Sequence, residues 1–212
     1  MCRNIRKGKF IVLEGIDGSG KGTQIDLLVK EMRKQGRRVY QTAEPTSTST
    51  GGMLRDALGG FVRRDAYELS AMFLVDRIFH NINPVNGIKK YLDEGTDVVC
   101  DRYYYSSFAY QGIDADLDWV MRMNLDCREI LRPDVCIFLD LDPEQSDRRI
   151  SDNRLDREIY ENREMQQRIR SRFFEVFGLL RDSENIRIVD ASRSIAEVSA
   201  DIIEIFNEIK EK

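Results

Sequence analysis

One histidine, one tryptophan, four prolines and four cysteines are spread over 212 residues, and each shortage closes off a class of protein. Cys2, Cys100, Cys127 and Cys136 share no CxxC spacing, and His80 is the only histidine. Neither a structural zinc site nor a disulfide framework is expected; free thiols in a reducing compartment are. No apolar run approaches the ~18 residues of a membrane helix, and the N-terminal MCRNIRKGKF lacks a hydrophobic signal core. Disordered, collagen-like and low-complexity chains are excluded by 42% hydrophobic and 33% charged residues with only 14 glycines. There is also no basic surplus: the net charge is −4, which argues against a chain that coats nucleic acid or anionic membrane. The expectation is a cytoplasmic globular protein with neither nucleic acid nor membrane as partner. A chain of this length buries about 70% of its unfolded surface in one core, so residues 1–212 are read as a single domain.

What is present is an alternation of short β-branched runs with helical segments. Lys9–Glu14 (KFIVLE) reads as a strand entering a glycine-rich turn, and residues 22–35 place Ile25, Leu28, Val29 and Met32 at helical spacing. Val39–Thr42, Asp97–Cys100, Asp134–Leu141 and Ile186–Val189 read as further strands. Helices are predicted over 65–82, 84–94 and about 114–131, the second entered through Asn83-Pro84 and stopped at Gly95. A long helix carries Ile169, Phe173, Val176, Phe177 and Leu180 on one side. The last opens with Ser194-x-x-Glu197, the spacing of a capping box. The Thr/Ser run at 46–50 is read as a loop. Short strands separated by helices pair in parallel through right-handed crossovers, which gives an α/β fold: three layers, α/β/α, around a five-stranded parallel sheet.

Between the first strand and the first helix stands Gly15-Ile16-Asp17-Gly18-Ser19-Gly20-Lys21. A GxxxxGK pattern arises by chance roughly 0.06 times in such a chain, and its strand-to-helix setting lowers that further. Glycines let backbone N–H groups point inward around phosphate oxygens, the helix N-terminus adds partial positive charge, and Lys21 reaches the β- and γ-phosphates. The fold class is therefore of P-loop NTPase type, with residues 15–23 binding the nucleotide. Where the standard motif has a Ser/Thr after the lysine, this chain has Gly22, with Thr23 one step later. The magnesium ligand is then Thr23, Asp101, or water held by either.

Further motifs follow in a fixed order. They are Glu14-Gly15-Ile16-Asp17, Thr42-Ala43-Glu44-Pro45, Phe73-Leu74-Val75-Asp76-Arg77, and the run Asp101-Arg102-Tyr103-Tyr104-Tyr105-Ser106-Ser107-Phe108-Ala109-Tyr110-Gln111-Gly112. Arg132-Pro133-Asp134, Leu139-Asp140 and Leu155-Asp156-Arg157-Glu158 complete the set. From residue 9 to about 206 the chain thereby resembles bacterial-type thymidylate kinases. The resemblance implies transfer of the ATP γ-phosphoryl group to dTMP with Mg²⁺, a homodimer formed through helices like 65–94, and a lid over about 147–158.

It also implies roles for single residues. Lys21, Arg102, Asp17 and a lid arginine are catalytic, with Arg154 ahead of Arg149 and Arg157, because Gly18-Ser19 stand where some members place an arginine. Arg55 and Arg102 hold the dTMP phosphate, and Phe73 stacks on thymine. Arg77 donates to O4, Ser107 and Gln111 address the N3 edge, Tyr110 closes the space below C2′, and Glu44 lies in the substrate-binding set. Asp17 sits near the 3′-hydroxyl and the metal. Two departures bear on the acceptor: Ala43 replaces the arginine of TREP, and Thr46–Thr50 replace the usual glycines. Taken without the resemblance, Phe73 reads as core about two to one, Tyr103, Tyr104, Tyr105 and Phe108 as packing, and Arg77 as a solvated charge. His80 reads as structural. Two rival functions remain at this level: a deoxynucleoside kinase with Glu14 as base, and a nucleotide-binding regulator that has lost transfer.

Overall fold

Residues 10–14 (FIVLE) are buried at every position and form strand β1 (Phe10–Glu14) at the centre of the sheet. The computed structural model describes residues 7–151, 160 and 162–209. Strands β2 (Val39–Ala43), β3 (Asp97–Asp101), β4 (Val135–Asp140) and β5 (Ile186–Asp190) complete a parallel sheet of order β2-β3-β1-β4-β5. The three inner strands are near-continuous apolar runs, as a sheet covered on both faces demands. The edge strands β2 and β5 are only partly buried.

Alternate residues feed two cores. Ile11, Leu13, Val99, Ile137 and Leu139 pack against Ile25, Leu28, Val29 and Met32 of α1 (Lys21–Lys34). The same layer takes Val198, Ile202 and Phe206 of α9 (Ile195–Glu208), which is entered through the Ser194/Glu197 capping box. Phe10, Val12, Cys100 and Phe138 face the opposite layer. There α5 (Tyr104–Tyr110) and α8 (Arg163–Leu180) supply Tyr104, Tyr105, Phe108, Phe173 and Phe177. Also in the structure are α2 (Ser49–Leu58), α3 (Ala66–Ile82), α4 (Ile88–Asp93), α6 (Leu117–Leu125) and α7 (Pro143–Ser151).

Three expectations need correcting. The helix expected from residue 84 begins at Ile88, because Asn83 Oδ1 takes the amides of Val85 (2.8 Å) and Asn86 (3.3 Å) in a side-chain turn. The helix expected over 114–131 is shorter: Asp116 caps α6 by accepting from the Trp119 amide at 2.7 Å. The Thr/Ser run is not simply a loop, since Thr48 is the N-cap of α2. Of the lid expected over 147–158, residues 152–159 lie outside the described residues.

Phe138 shows what holds the second core together. Its ring lies 4.8 Å from that of Phe173 and 5.1 Å from that of Phe177, and the residue is fully buried. Truncating it removes both the transfer energy and the ring contacts. Phe138→Ala is expected to cost about 3–5 kcal/mol, read as a lower urea midpoint at unchanged slope.

Candidate active site

The loop after β1 takes positive φ at Gly15 (151°), Gly18 (74°) and Gly20 (92°), a backbone that side chains with a Cβ disfavour. A Cβ on Gly15 would meet the Leu139 carbonyl oxygen at 2.8 Å, so both its conformation and its packing require glycine. Lys21 opens α1 and folds back: Nζ donates to Gly15 O at 3.0 Å and Ile16 O at 3.1 Å. Burial, with the Arg102 charge nearby, lowers its pKa. Asp17, Gly18, Gly20, Lys21, Gly22, Thr23, Asp101 and Arg102 line a cavity of about 330 Å³. Gly15, Ile16 and Ser19, also expected at the nucleotide, do not line it: the first two hold Lys21 through those carbonyls, the Ile16 side chain is core and Ser19 is buried.

A second cavity of about 310 Å³ opens beside it. Glu44, Arg55, Phe73, Arg77, Arg102, Ser107, Tyr110 and Gln111, scattered over 68 positions from 44 to 111, all line it, joined by Ala43 and Tyr160. Asp17 and Arg102 belong to both cavities. They are paired by a charge-assisted hydrogen bond, and Arg102 Nη1 also donates to Gly15 O and Ser106 Oγ, each at 3.1 Å. The Tyr110 hydroxyl donates to Asp17 Oδ2 at 3.3 Å, and the Arg102 guanidinium lies 5.1 Å above the Tyr110 ring. Burial alone would raise the Asp17 pKa, but the Arg102 and Lys21 cations outweigh it and hold the carboxyl below its ordinary range.

The described partners of each residue refine the sequence reading. Arg77 is 1% exposed, not a solvated helix charge: it pairs with Glu44 and donates to Asn124 Oδ1 (2.6 Å) and Ser107 Oγ (3.1 Å). Glu44 lines the second cavity, yet its two oxygens are taken by Arg77 and by His80 Nδ1 (3.0 Å). His80 is buried, and Nε2 meets Thr42 Oγ1 at 2.8 Å. Phe73 is half-buried; it packs on Leu54, Ala57 and Leu69 and also faces the cavity. Arg55 donates to the carbonyls of Pro45 (3.2 Å) and Thr46 (2.6 Å). Arg149 reaches Gly18 O at 3.5 Å and Ala191 O at 3.2 Å. Arg154 and Arg157 lie outside the described residues.

Two carboxylates at the strand ends behave differently. Glu14 Oε1 accepts from the amides of Tyr103 (2.8 Å) and Ser106 (3.1 Å), and Oε2 accepts from Ser106 Oγ (2.7 Å). Burial raises its pKa, but both oxygens are committed to holding the start of α5. The base that a deoxynucleoside acceptor would need is thus already in use. Asp101 is the opposite case: its Oδ1 is buried with no hydrogen-bond partner among the described residues, in the cavity that also holds Thr23. An orphaned carboxylate oxygen beside a glycine loop suits a hard cation, so Asp101, with Thr23 in the same cavity, fits magnesium. Among the described residues no cluster of three or more His, Cys, Asp or Glu offers a full protein cage. Magnesium does not require one when phosphate and water complete its shell.

Comparison with known proteins gives one consistent result. The model of the family described as thymidylate kinase matches residues 13–202. A probable thymidylate kinase of Thermococcus gammatolerans is 37% identical over 205 residues, covering 92% of this chain and 94% of that one. A thymidylate kinase of Exiguobacterium sp. is 32% identical over 204 residues, with 93% of each chain covered. A solved thymidylate kinase from Candida albicans superposes with a TM-score of 0.80 over 95% of this chain and 92% of its own, at 24% identity, and shares the fold.

Sequence reasoning missed the anchor of the segment that leads into α2. Asp76 is fully buried on α3 and accepts from the Thr46 amide (2.8 Å), Thr46 Oγ1 (2.6 Å), Thr48 Oγ1 (3.1 Å) and Thr50 Oγ1 (2.6 Å). The threonine run therefore fixes the entry to α2, which carries Arg55. Its spacing of two was the available signal, but the partner lies 26 to 30 positions away. Burial opposes ionisation of Asp76, yet these hydrogen bonds outweigh it and lower its pKa below 3.8. A lowered folded pKa means stability that is present above the unfolded pKa and lost as pH falls through the folded one. Asp76→Ala is expected to cost roughly 3 kcal/mol near neutrality and to speed amide exchange at residues 46–52. The gap from the unsubstituted chain should narrow below pH 3.8, as followed by chemical denaturation across pH.

Proposed function

The chain belongs to the thymidylate kinase family, and from that premise we propose that it transfers the γ-phosphoryl group of ATP to dTMP, giving ADP and dTDP. The observation that carries this reading is the pair of adjoining cavities whose shared wall is Asp17 and Arg102. One is built on a phosphate loop; the other has an aromatic face and three arginines. An acceptor phosphate is already a nucleophile, so the reaction needs alignment and charge neutralisation rather than a strong base. The commitment of Glu14 to α5 disfavours the deoxynucleoside alternative.

In this reading Lys21 exchanges its bonds to Gly15 O and Ile16 O for phosphate oxygens of ATP. Magnesium, when bound beside Asp101 and Thr23, neutralises charge on the transferring group. Arg55 and Arg102 hold the acceptor phosphate, two planar forks on one anion. Phe73 stacks on the base, Arg77 donates to O4, and Ser107 and Gln111 meet the N3 edge. Glu44 acts by fixing Arg77, and Tyr110 fills the space under C2′. Arg154 is the lid arginine assigned to the transition state. The whole works as one domain in the cytoplasm, paired with a second copy through the face of α3 that exposes Ala71, Val75, Phe79 and Ile82.

Two measurements test this reading. Lys21→Ala removes one preorganised cation and is expected to lower kcat by about 10²–10³ while the protein still melts cooperatively; near-normal turnover would show that the loop is not catalytic. A panel of acceptors with ATP and Mg²⁺ should rank dTMP above dUMP above dCMP. The 5-methyl group is worth about 0.8 kcal/mol when buried, a few-fold in kcat/KM. A guanidinium facing an amino group instead of a carbonyl costs about 1–3 kcal/mol or more, hence roughly 10- to 150-fold. Faster turnover of dCMP than dTMP would defeat the assignment.

A further inference from the structure

We propose that Asn124 is a positioning residue of the acceptor pocket, acting through Arg77: by taking one Nη1 hydrogen it fixes the guanidinium so that the other Nη1 hydrogen is offered to a carbonyl oxygen on the base. The inference rests on the reading above that the base lies against Arg77.

A guanidinium carries five N–H donors. In Arg77, Nε donates to Glu44 Oε2 at 2.8 Å and Nη2 lies 2.7 Å from the same oxygen. Nη2 donates to Ser107 Oγ at 3.1 Å, and one Nη1 hydrogen goes to Asn124 Oδ1 at 2.6 Å. That leaves one Nη1 hydrogen without a partner among the described residues, on a side chain that is 1% exposed and lines the acceptor cavity. A buried charged donor without an acceptor is costly, so the pocket demands one acceptor at that point and penalises a donor.

Asn124 is built to make that demand single. It is 1% exposed on α6, and its Nδ2 donates to the Val120 carbonyl one turn back at 2.8 Å. This bond sets the amide so that its oxygen, not its nitrogen, meets Arg77. α6 is itself fixed by the Asp116 cap. Glu44 and Ser107 hold the guanidinium on the opposite side; Asn124 stops it turning about its long axis and occupies the hydrogen that would otherwise make the pocket tolerant. Without Asn124, two Nη1 hydrogens are free and their direction is no longer set. The C4 carbonyl of a thymine is then read less sharply against the C4 amino group of a cytosine.

The test uses the full chain, ATP and Mg²⁺, with dTMP, dUMP and dCMP as acceptors. Asn124→Leu should raise KM for dTMP about tenfold, change kcat less than about threefold, and narrow the dTMP-to-dCMP ratio of kcat/KM about tenfold. The dTMP-to-dUMP ratio should stay within about twofold, because the 5-methyl group does not touch Arg77. Asn124→Ser, smaller and still polar, serves if the leucine variant does not fold, and dTMP binding by calorimetry then gives the same comparison. An equal loss on all three acceptors, or an unchanged dTMP-to-dCMP ratio in a folded variant, overturns the proposal. A failure of the underlying reading looks different: the unsubstituted enzyme would already be indifferent to dTMP and dCMP.

Discussion

The buried carboxylate of Glu14 is the joint on which both cavities depend. It ends β1, and its oxygens take two amides and a hydroxyl from the start of α5. A carboxylate this deep is tolerable only when its lone pairs are satisfied, and these donors, with Arg102 and Lys21 nearby, satisfy it. The chain between β3 and α5 must then turn sharply, and Arg102 adopts φ 64°, the only described non-glycine residue with positive φ. Strain of this kind persists where surrounding contacts over-determine it. Here it turns the guanidinium toward the glycine loop, where Gly15 O, Ser106 Oγ and Asp17 receive it.

Parallel topology makes that joint possible. β1 and β3 are neighbours, with Leu13 opposite Asp101, so the residues that follow them emerge side by side at the carboxyl end of the sheet, where such folds bind ligands. The site is preorganised by its own internal counter-charges. Lys21 rests on two carbonyls, and Arg102 on Asp17. Each is a cation held in place by weaker acceptors than a phosphate, so anions can replace those acceptors with little rearrangement. This is the arrangement that electrostatic catalysis requires.

How much of this was legible in the sequence depended on the range of the causes. The sheet was legible because β-branched runs and a glycine loop are local signals. Helices α2 and α5 were not: Thr48 caps α2 from within a run that read as a loop and is itself held by Asp76 of α3, and the start of α5 is held by Glu14 of β1. The aromatic run Tyr103–Tyr105 reads as packing, and it does pack, with all three residues fully buried. What the run could not reveal is that Tyr103 and Ser106 also present their amides to Glu14. Phe73 resisted a single reading for a good reason: it serves the small cluster of Leu54, Ala57 and Leu69 and the acceptor cavity at once. Roles for single residues came from the resemblance; the constraints that hold them came only from the fold.

The departure at Ala43 can now be weighed by counting charge. Three arginines line the acceptor cavity: Arg55, Arg77 and Arg102. Arg77 is neutralised within the fold by Glu44. In the reading proposed above, Arg55 and Arg102 meet the acceptor phosphate, with no third cation from position 43. Of these, Arg55 has no carboxylate partner among the described residues and is held by the Pro45 and Thr46 carbonyls. Its position is thus set by the segment that Asp76 grips with four hydrogen bonds. Glycines at 46–50 would have no hydroxyls to offer Asp76, and the loop beneath Arg55 would keep its conformational freedom. A site with one fewer positive charge has Arg55 mounted on a stiffer support, and less entropy is lost when an anion is bound there.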